Sequence, residues 1–316
     1  MHKKSLILAI ESSCDDTAAA VLNGRKILSN CVANQKIHIA YGGVVPELAS
    51  RAHQSKIIPV VQQALQQANI NKKELTAIAY TQGPGLLGSL LVGSAFAKSL
   101  SIALNIPLIP INHTQGHLLV HFIEDERIQI PSFPFLGVIL SGGHTQLVYV
   151  HDHFDMNILG TTLDDAIGEA FDKCGKKMGL PYPSGPQIDK LAKEGNPHKF
   201  NFPISKLSNY NVSYSGVKTA FINFISNNEQ KDPDFIKNNL VDLCASLQYT
   251  LVQIILNKIE LVARDKNLTE IVIGGGVAAN TEIRKQLQDI VMKEDWTLSL
   301  PPLEYTTAVS YTHLTL

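Results

Sequence analysis

The strongest constraint on the fold of this chain is that its pattern of apolar runs and glycine turns occurs twice. The stretch "SLILAIESSCDDTAAAVLNG" is an apolar run, a small polar turn and a second apolar run, which predicts a β-hairpin closed by a Ser/Cys/Asp loop. "FLGVILSGGHTQLVYVHD" (135–152) repeats that plan. Further along each half the order strand, glycine-rich turn, helix follows, in "LTAIAYTQGPGLLGSLLVGSAFAKSLSIAL" and then in "LTEIVIGGGVAANTEIRKQLQDIV". Between these landmarks lie helical periodicities: Leu48, Ile57, Val61, Ala64 and Leu65 in one stretch, and Leu240, Leu243, Leu247, Leu251, Ile254 and Ile255 in another. Strands alternating with helices define an α/β protein, and the duplication divides it into two related halves. Two such halves facing one another are expected to leave a cleft lined by the hairpin turns and glycine loops. The boundary is placed near "ERIQIPSFP" (126–134), giving a first half of 1–130 and a second of 131–307.

With 316 residues, 45% hydrophobic and 17% charged, the chain is long and apolar enough for two cores. A formal charge of -1 excludes a bulk positive field, so any contact with phosphate must come from a local cluster such as "DKCGKK" (172–177), or else that run is a solvated helix face. Cys14, Cys31, Cys174 and Cys244 form no C-x-x-C pair, which argues against a zinc ribbon or a disulfide framework and fits a reducing cytoplasm. The apolar start is cut off by Glu11, Asp15 and Asp16 before a signal-peptide cleavage site, and no later apolar run approaches the roughly 20 residues of a membrane span, so a soluble protein is expected.

Two glycine loops carry chemistry. Ser141, Gly142 and Gly143 follow a buried strand, where glycines let backbone N–H groups converge on a phosphate or acyl oxygen. "GGGVAAN" (274–280) follows "EIVI" and opens a helix whose N-terminus favours negative charge. Neither is a Walker loop, because neither ends in G-K-[ST]. One such loop can equally be a tight turn, but two at matching points of a duplicated fold point to a nucleotide site. Asp172 and Asp189 flank the turn "YPSGP", placed to accept hydrogen bonds from ribose hydroxyls. Asp15 and Asp16 sit in the first hairpin turn, where a carboxylate can orient a metal, a water or an amine.

"NHTQGHLLVH" (112–121) spaces three histidines four apart. "PLIPIN" predicts a strand ending at Asn112 and a helix from His113 to Phe122, with His113 and His117 one turn apart on one face, close enough to share one ion. His121 would lie roughly 12 Å along the axis from His113, too far to be a third ligand. The metalloprotease pattern H-E-x-x-H fails because Thr114 stands where the glutamate belongs.

Taken together, "IESSCDDTAAAV", "PELASRAH", "QGPGLLGSLLVG", "NHTQGH", "LSGGHTQL", "AFDKCGKKMGLPYPSGP", "YSGVKTA" and "GGGVAAN" resemble the bacterial TsaD family of tRNA adenosine threonylcarbamoyltransferases, from about Ile7 to Thr307. The resemblance implies the duplicated actin, Hsp70 and sugar-kinase type of fold around a nucleotide. It also implies transfer of a threonylcarbamoyl group from threonylcarbamoyl-AMP to the exocyclic amine of the adenosine 3′ of the anticodon, in tRNAs reading codons that begin with A. Carried over, His113 and His117 would hold one divalent ion, iron or zinc, while Ile139, Leu140, Ser141, Gly142, Gly143, Asp172, Gly185, Asp189 and Asn280 would bind the adenylate. Asp15 is the expected group that orients or deprotonates the attacking amine. Partners implied are tRNA and TsaB-like and TsaE-like proteins, in the cytoplasm and without a membrane.

One departure stands out. The family's third metal ligand is an aspartate after "YTT"; here "EYTT" (304–307) is followed by Ala308, and the tail "AVSYTHLTL" resembles nothing in the family. The expectation is a metal site one ligand short, in a second half cut off at 307, with the family's chemistry weakened or lost. Two other readings stay open. One is a non-catalytic partner scaffold of the same fold, against which the histidine pair argues. The other is a small-molecule kinase or ATPase, which would need no such pair.

Overall fold

The computed structural model describes residues 5–306. The chain from 307, including Ala308 and the tail, lies outside the described residues. Two compact units divide the described chain: the part up to Ile130 together with Pro301 onward, and Pro131–Leu300. Residues 301–306 thus cluster with the first unit, whereas the sequence reading assigned them to the second. The reason is local chemistry: Tyr305 Oη donates to Asp125 at 2.9 Å, and Arg127 bridges Asp125 and Glu304.

The first unit runs β1 (Leu6–Glu11), β2 (Thr17–Asn23), β3 (Lys26–Ala33), α1 (Ile37–Tyr41), α2 (Pro46–Gln67), β4 (Ala77–Gly83), α3 (Leu87–Leu104), β5 (Leu108–Asn112) and α4 (His113–Leu119), the last continued by a 3-10 turn, Val120–Phe122. Its sheet order is β3-β2-β1-β4-β5. β1 and β2 form the expected antiparallel hairpin, whereas β4 and β5 run parallel to β1. Period-2 alternation gives β1 two apolar faces. Leu8 and Ile10 pack with Ile57, Val60, Val61 and Ala64 of α2 and Ala97 of α3, while Ala9 meets Ile111, Val120 and Ile123 on the other side. Small alanines on that second face, Ala9, Ala20 and Ala79, pack with Val120 of the turn that follows α4.

The second unit runs β6 (Phe135–Leu140), β7 (Thr145–Val150), β8 (Met156–Thr161), α5 (Ile167–Lys177), α6 (Gly185–Ala192), α7 (Ser215–Glu229), α8 (Phe235–Lys266), β9 (Glu270–Gly274), α9 (Thr281–Glu294) and β10 (Thr297–Ser299). Its order is β10-β9-β6-β7-β8, with an antiparallel β6–β7–β8 meander and β9 and β10 parallel. This is the order of the first sheet read from the other edge. Leu243, Leu247, Leu251, Ile254 and Ile255 of α8 are buried at the expected helical spacing, each worth about 1.5–3 kcal/mol relative to an exposed side chain.

The expectation that no segment is long and apolar enough to span a membrane is not met by length and composition alone. Leu87–Leu104 and Phe235–Lys266 both pass that test, because Ser, Gly and Gln interrupt their apolar runs without adding charge. Most of the apolar window in the second helix is buried within the core.

Candidate functional site

In the first unit the parallel strands β1, β4 and β5 bring Glu11, Thr81 and His113 together at their C-terminal ends. Asn112 caps α4, its side chain accepting from the N–H groups of Thr114 and Gln115 at 3.0 and 3.2 Å, so the helix begins at His113 as expected. It gives way to the 3-10 turn at Val120, and His121 is buried in that turn. The rings of His113 and His117 stand edge to face with centroids 4.7 Å apart. His113 Nδ1 lies 3.1 Å from Glu11 Oε2 and 3.3 Å from Ser13 Oγ. Burial alone would lower the His113 pKa; the charge of Glu11 and its hydrogen bond outweigh that and raise it.

The hairpin turn after Glu11 is clamped from three sides. Leu86 N–H donates to Ser13 O at 2.7 Å, Ser89 Oγ to Cys14 O at 3.0 Å, and His53 Nε2 lies 3.0 Å from the same Cys14 carbonyl. A carbonyl only accepts, so the proton of His53 sits on Nε2 and its Nδ1 accepts from Thr17 Oγ1, 2.7 Å away. Burial lowers the His53 pKa, which keeps this clamp neutral. Gly85 and Gly93 allow the clamp: a Cβ at Gly85 would lie 2.4 Å from Ser13 O. Asp15 is half-buried at the turn. Its neighbour Asp16 is pushed up to about 6, first by burial and then by the charge of Asp15.

In the second unit Ser141 closes the turn after β6, its N–H donating to His144 O at 2.8 Å and its hydroxyl accepting from His144 N–H at 3.0 Å. A Cβ at Gly142 or Gly143 would meet nothing within 4 Å, so packing does not demand glycine there and both stand open to a ligand. Ile139 and Leu140 are core residues of β6, so only their backbone is available. The glycine loop after β9 lies against this strand: Gly275 has φ +94°, and a Cβ there would come 2.4 Å from Leu140 O. It forms a 3-10 turn, and α9 itself starts only at Thr281.

The four remaining expected residues join α5, α6, α8 and α9. Asp172 accepts from the N–H groups of Ser184, at 2.7 Å, and Gly185, tying α5 to the start of α6; burial nonetheless raises its pKa. Asp189 accepts from the Thr281 hydroxyl at 2.9 Å and from Thr281 N–H. Asn280 caps α9 through Glu282 and Ile283 N–H, and its amide donates to Gln248 at 2.8 Å. Thr281 and Gln248 also line a hollow of about 410 Å³ with Lys193, Tyr249 and Lys285. A larger hollow, about 620 Å³ beside Arg25 and Asp125, carries none of the expected site residues.

"DKCGKK" is an acid-balanced helix face. Lys173 pairs with Asp165 and Glu169, and Lys177 with Glu229. Among the described residues, no group of three or more His, Cys, Asp or Glu stands ready to hold an ion. The sequence reading missed Glu11, Thr81 and His53. Glu11 had a signal: it is an acid ending an otherwise apolar strand, and it is almost fully buried.

Two five-stranded sheets of one topology, each with a hairpin followed by a parallel strand, belong to the actin, Hsp70 and sugar-kinase class. The component A of (R)-2-hydroxyglutaryl-CoA dehydratase from Acidaminococcus fermentans superposes with a TM-score of 0.55 at 14% identity, covering 98% of this chain and 95% of that one. The ROK hexokinase of Thermus thermophilus gives 0.53 at 14%, covering 98% of each chain. At sequence level, the TsaD family model, tRNA N6-adenosine threonylcarbamoyltransferase, matches residues 26–312. Proteins of that name from Christiangramia forsetii and Riemerella anatipestifer are 57% and 54% identical over 305 residues, 96% of this chain and 90% and 89% of theirs. The chain belongs to the TsaD family.

Proposed function

We propose that this chain transfers the threonylcarbamoyl group of threonylcarbamoyl-AMP to the exocyclic amine of the adenosine 3′ of the anticodon, in tRNAs reading codons that begin with A. The observation that carries this reading is family membership, with 57% identity to a protein of that name over nearly the full chain. In the reaction the adenosine N6 attacks the carbamoyl carbon and forms a C–N bond. The bond from that carbon to the phosphate oxygen breaks, AMP leaves with the electron pair, and N6 gives up a proton.

The second unit would bind the adenylate. The open backbone at Gly142 and Gly143 would donate to phosphate or acyl oxygen, where charge develops. Asp172 and Asp189 retain acceptor capacity for ribose hydroxyls, since a carboxylate offers about four lone-pair sites. Asn280 is held beside Gln248 at the end of the hollow. In the first unit Asp15 would orient the amine or take its proton.

His113 and His117 would hold one iron or zinc ion. Their donor chemistry fits: two imidazoles on one turn, His117 buried and His113 half-buried, suit either metal. The ion, when bound, supplies a Lewis acid and a template for the threonyl group. The third family ligand falls at Ala308, outside the described residues. Metal per chain, compared with a version carrying the family ending from 308 on, tests this: weaker binding by the chain as it stands is expected, and equal tight binding would refute a missing ligand.

TsaB-like and TsaE-like proteins are the proposed partners, and the cytoplasm, where tRNA is found, the proposed location. Incubation with threonylcarbamoyl-AMP and unmodified tRNA separates the competing functions. Transfer supports the reading, inert binding would indicate a scaffold, and ATP consumption with a sugar would indicate a kinase.

A further inference from the structure

We propose that Glu11 is a positioning residue for the metal site: it fixes the ring of His113 with the proton on Nδ1, so that the Nε2 lone pair is the one presented to an ion. The inference rests on the reading of His113 and His117 as metal ligands. The Glu11 side chain is 4% exposed and accepts hydrogen bonds at both of its oxygens. Its Oε1 takes the Ser13 N–H, and its Oε2 takes the Thr81 hydroxyl at 2.5 Å and faces His113 Nδ1 at 3.1 Å. An ionised carboxylate only accepts, so the ring nitrogen facing it must be the donor. A neutral imidazole with a proton on Nδ1 has its lone pair on Nε2, the nitrogen that then serves as ligand.

The environment discriminates between glutamate and glutamine. With glutamine at position 11, the amide oxygen must stay at Oε1, because the Ser13 N–H faces that side and cannot accept. The amide NH2 then occupies the Oε2 position and donates toward His113 Nδ1. That opposes a proton on Nδ1, which would then have to donate to Ser13 Oγ at 3.3 Å, and shifts the ring toward the Nε2–H form, which has no lone pair at the ligand position. The substitution E11Q, equal in size and shape, therefore shifts the tautomer. Glu11→Asp keeps an acceptor-only group and is expected to keep the tautomer at a longer distance.

The test uses the full chain in two metal-free and metal-loaded measurements. Ring 15N shifts of His113, recorded without metal on the alkaline side of imidazole titration, report which nitrogen carries the proton. Zinc affinity is read by competition with a chromophoric chelator. Expected are an Nδ1-protonated ring in the wild type and Glu11→Asp, an Nε2-protonated ring in E11Q, and zinc affinity about 10- to 100-fold weaker in E11Q. An Nε2-protonated wild type, or E11Q with unchanged tautomer and unchanged zinc affinity, would overturn the inference. A wild type that takes up no zinc overturns both this inference and the metal reading beneath it. That result differs from failure of the inference alone, in which the wild type binds zinc and Glu11 makes no difference.

Discussion

Gly168 is the second residue of α5, and the open loop Ser141–Gly143 rests on it. A Cβ there would lie 2.8 Å from Gly142 Cα and from Ser141 O, and 3.1 Å from Gly142 N. Ordinary carbon contacts are about 3.5–4.0 Å, so Gly168→Ala must push the loop backbone or the helix start by about 0.7 Å or more. Overpacking of this kind costs about 1–3 kcal/mol, offset by at most about 1 kcal/mol from the better helix propensity of alanine. The net loss is then at most about 3 kcal/mol, a fall in Tm of up to about 12 °C for a unit of this size, and near zero only if the helix-propensity gain is fully realised. The same displacement moves the N–H groups proposed to bind the adenylate, which a site of this kind tolerates only to about 0.5 Å. AMP or a non-reactive threonylcarbamoyl-AMP analogue should therefore bind at least about tenfold more weakly, equivalent to about 1.4 kcal/mol. Gly216→Ala is the matched control: it is also the second residue of its helix, α7, and its Cβ would meet nothing within 4 Å. Thermal unfolding and titration calorimetry on both variants decide the matter. If Gly168→Ala behaves like Gly216→Ala in stability and affinity, the loop is not seated as described.

Asp165 is paired with Lys173 and Lys218; burial alone would raise its pKa, but the two lysine hydrogen bonds outweigh it and hold it below the ordinary 3.8. A depressed carboxylate stabilises the fold fully above its unfolded value and loses that contribution as pH falls through the folded one. Asp165→Asn should cost about 1–3 kcal/mol near pH 7, and the gap to wild type should close below about pH 3.8 in urea unfolding. Asp16 has the opposite sign. Raised from 3.8 to about 6, it favours the fold below its unfolded value and opposes it once pH rises through the folded one. Discounted for partial exposure, Asp16→Asn should gain about 1 kcal/mol at about pH 8 and nothing at about pH 4. A gain that is the same at both pH values would refute burial of the charge as its cause.

The repeated hairpins and α8 were legible because each rests on local periodicity: two apolar runs around a small turn, or leucines at i, i+3, i+4. The strands β3 and β8 were not. They are the edges opposite β5 and β10, with half-exposed residues and mixed polarity, and only pairing with β2 and β7 makes them strands. The His113–His117 pair was legible from its spacing, but its setting was not, because Glu11 meets His113 across 102 positions. The same applies to Asp125 with Tyr305, separated by 180, which draws the described C-terminal residues to the first unit. The basic run at 172–177 is a helix face, the reading its composition favours over a phosphate cluster, but the acids that balance it, Asp165, Glu169 and Glu229, lie outside the run and could not be read from it.

The central claim is threonylcarbamoyl transfer that depends on the histidine pair. It is tested most directly by single-turnover reaction of the zinc- or iron-loaded chain with threonylcarbamoyl-AMP, unmodified tRNA and its TsaB-like and TsaE-like partners, with modified nucleoside quantified by mass spectrometry after digestion. The account predicts threonylcarbamoyladenosine from the wild type and a loss of at least about tenfold in His113→Ala and His117→Ala, with the fold retained. No modified nucleoside from a folded, metal-loaded wild type, or undiminished transfer by both variants, would contradict it.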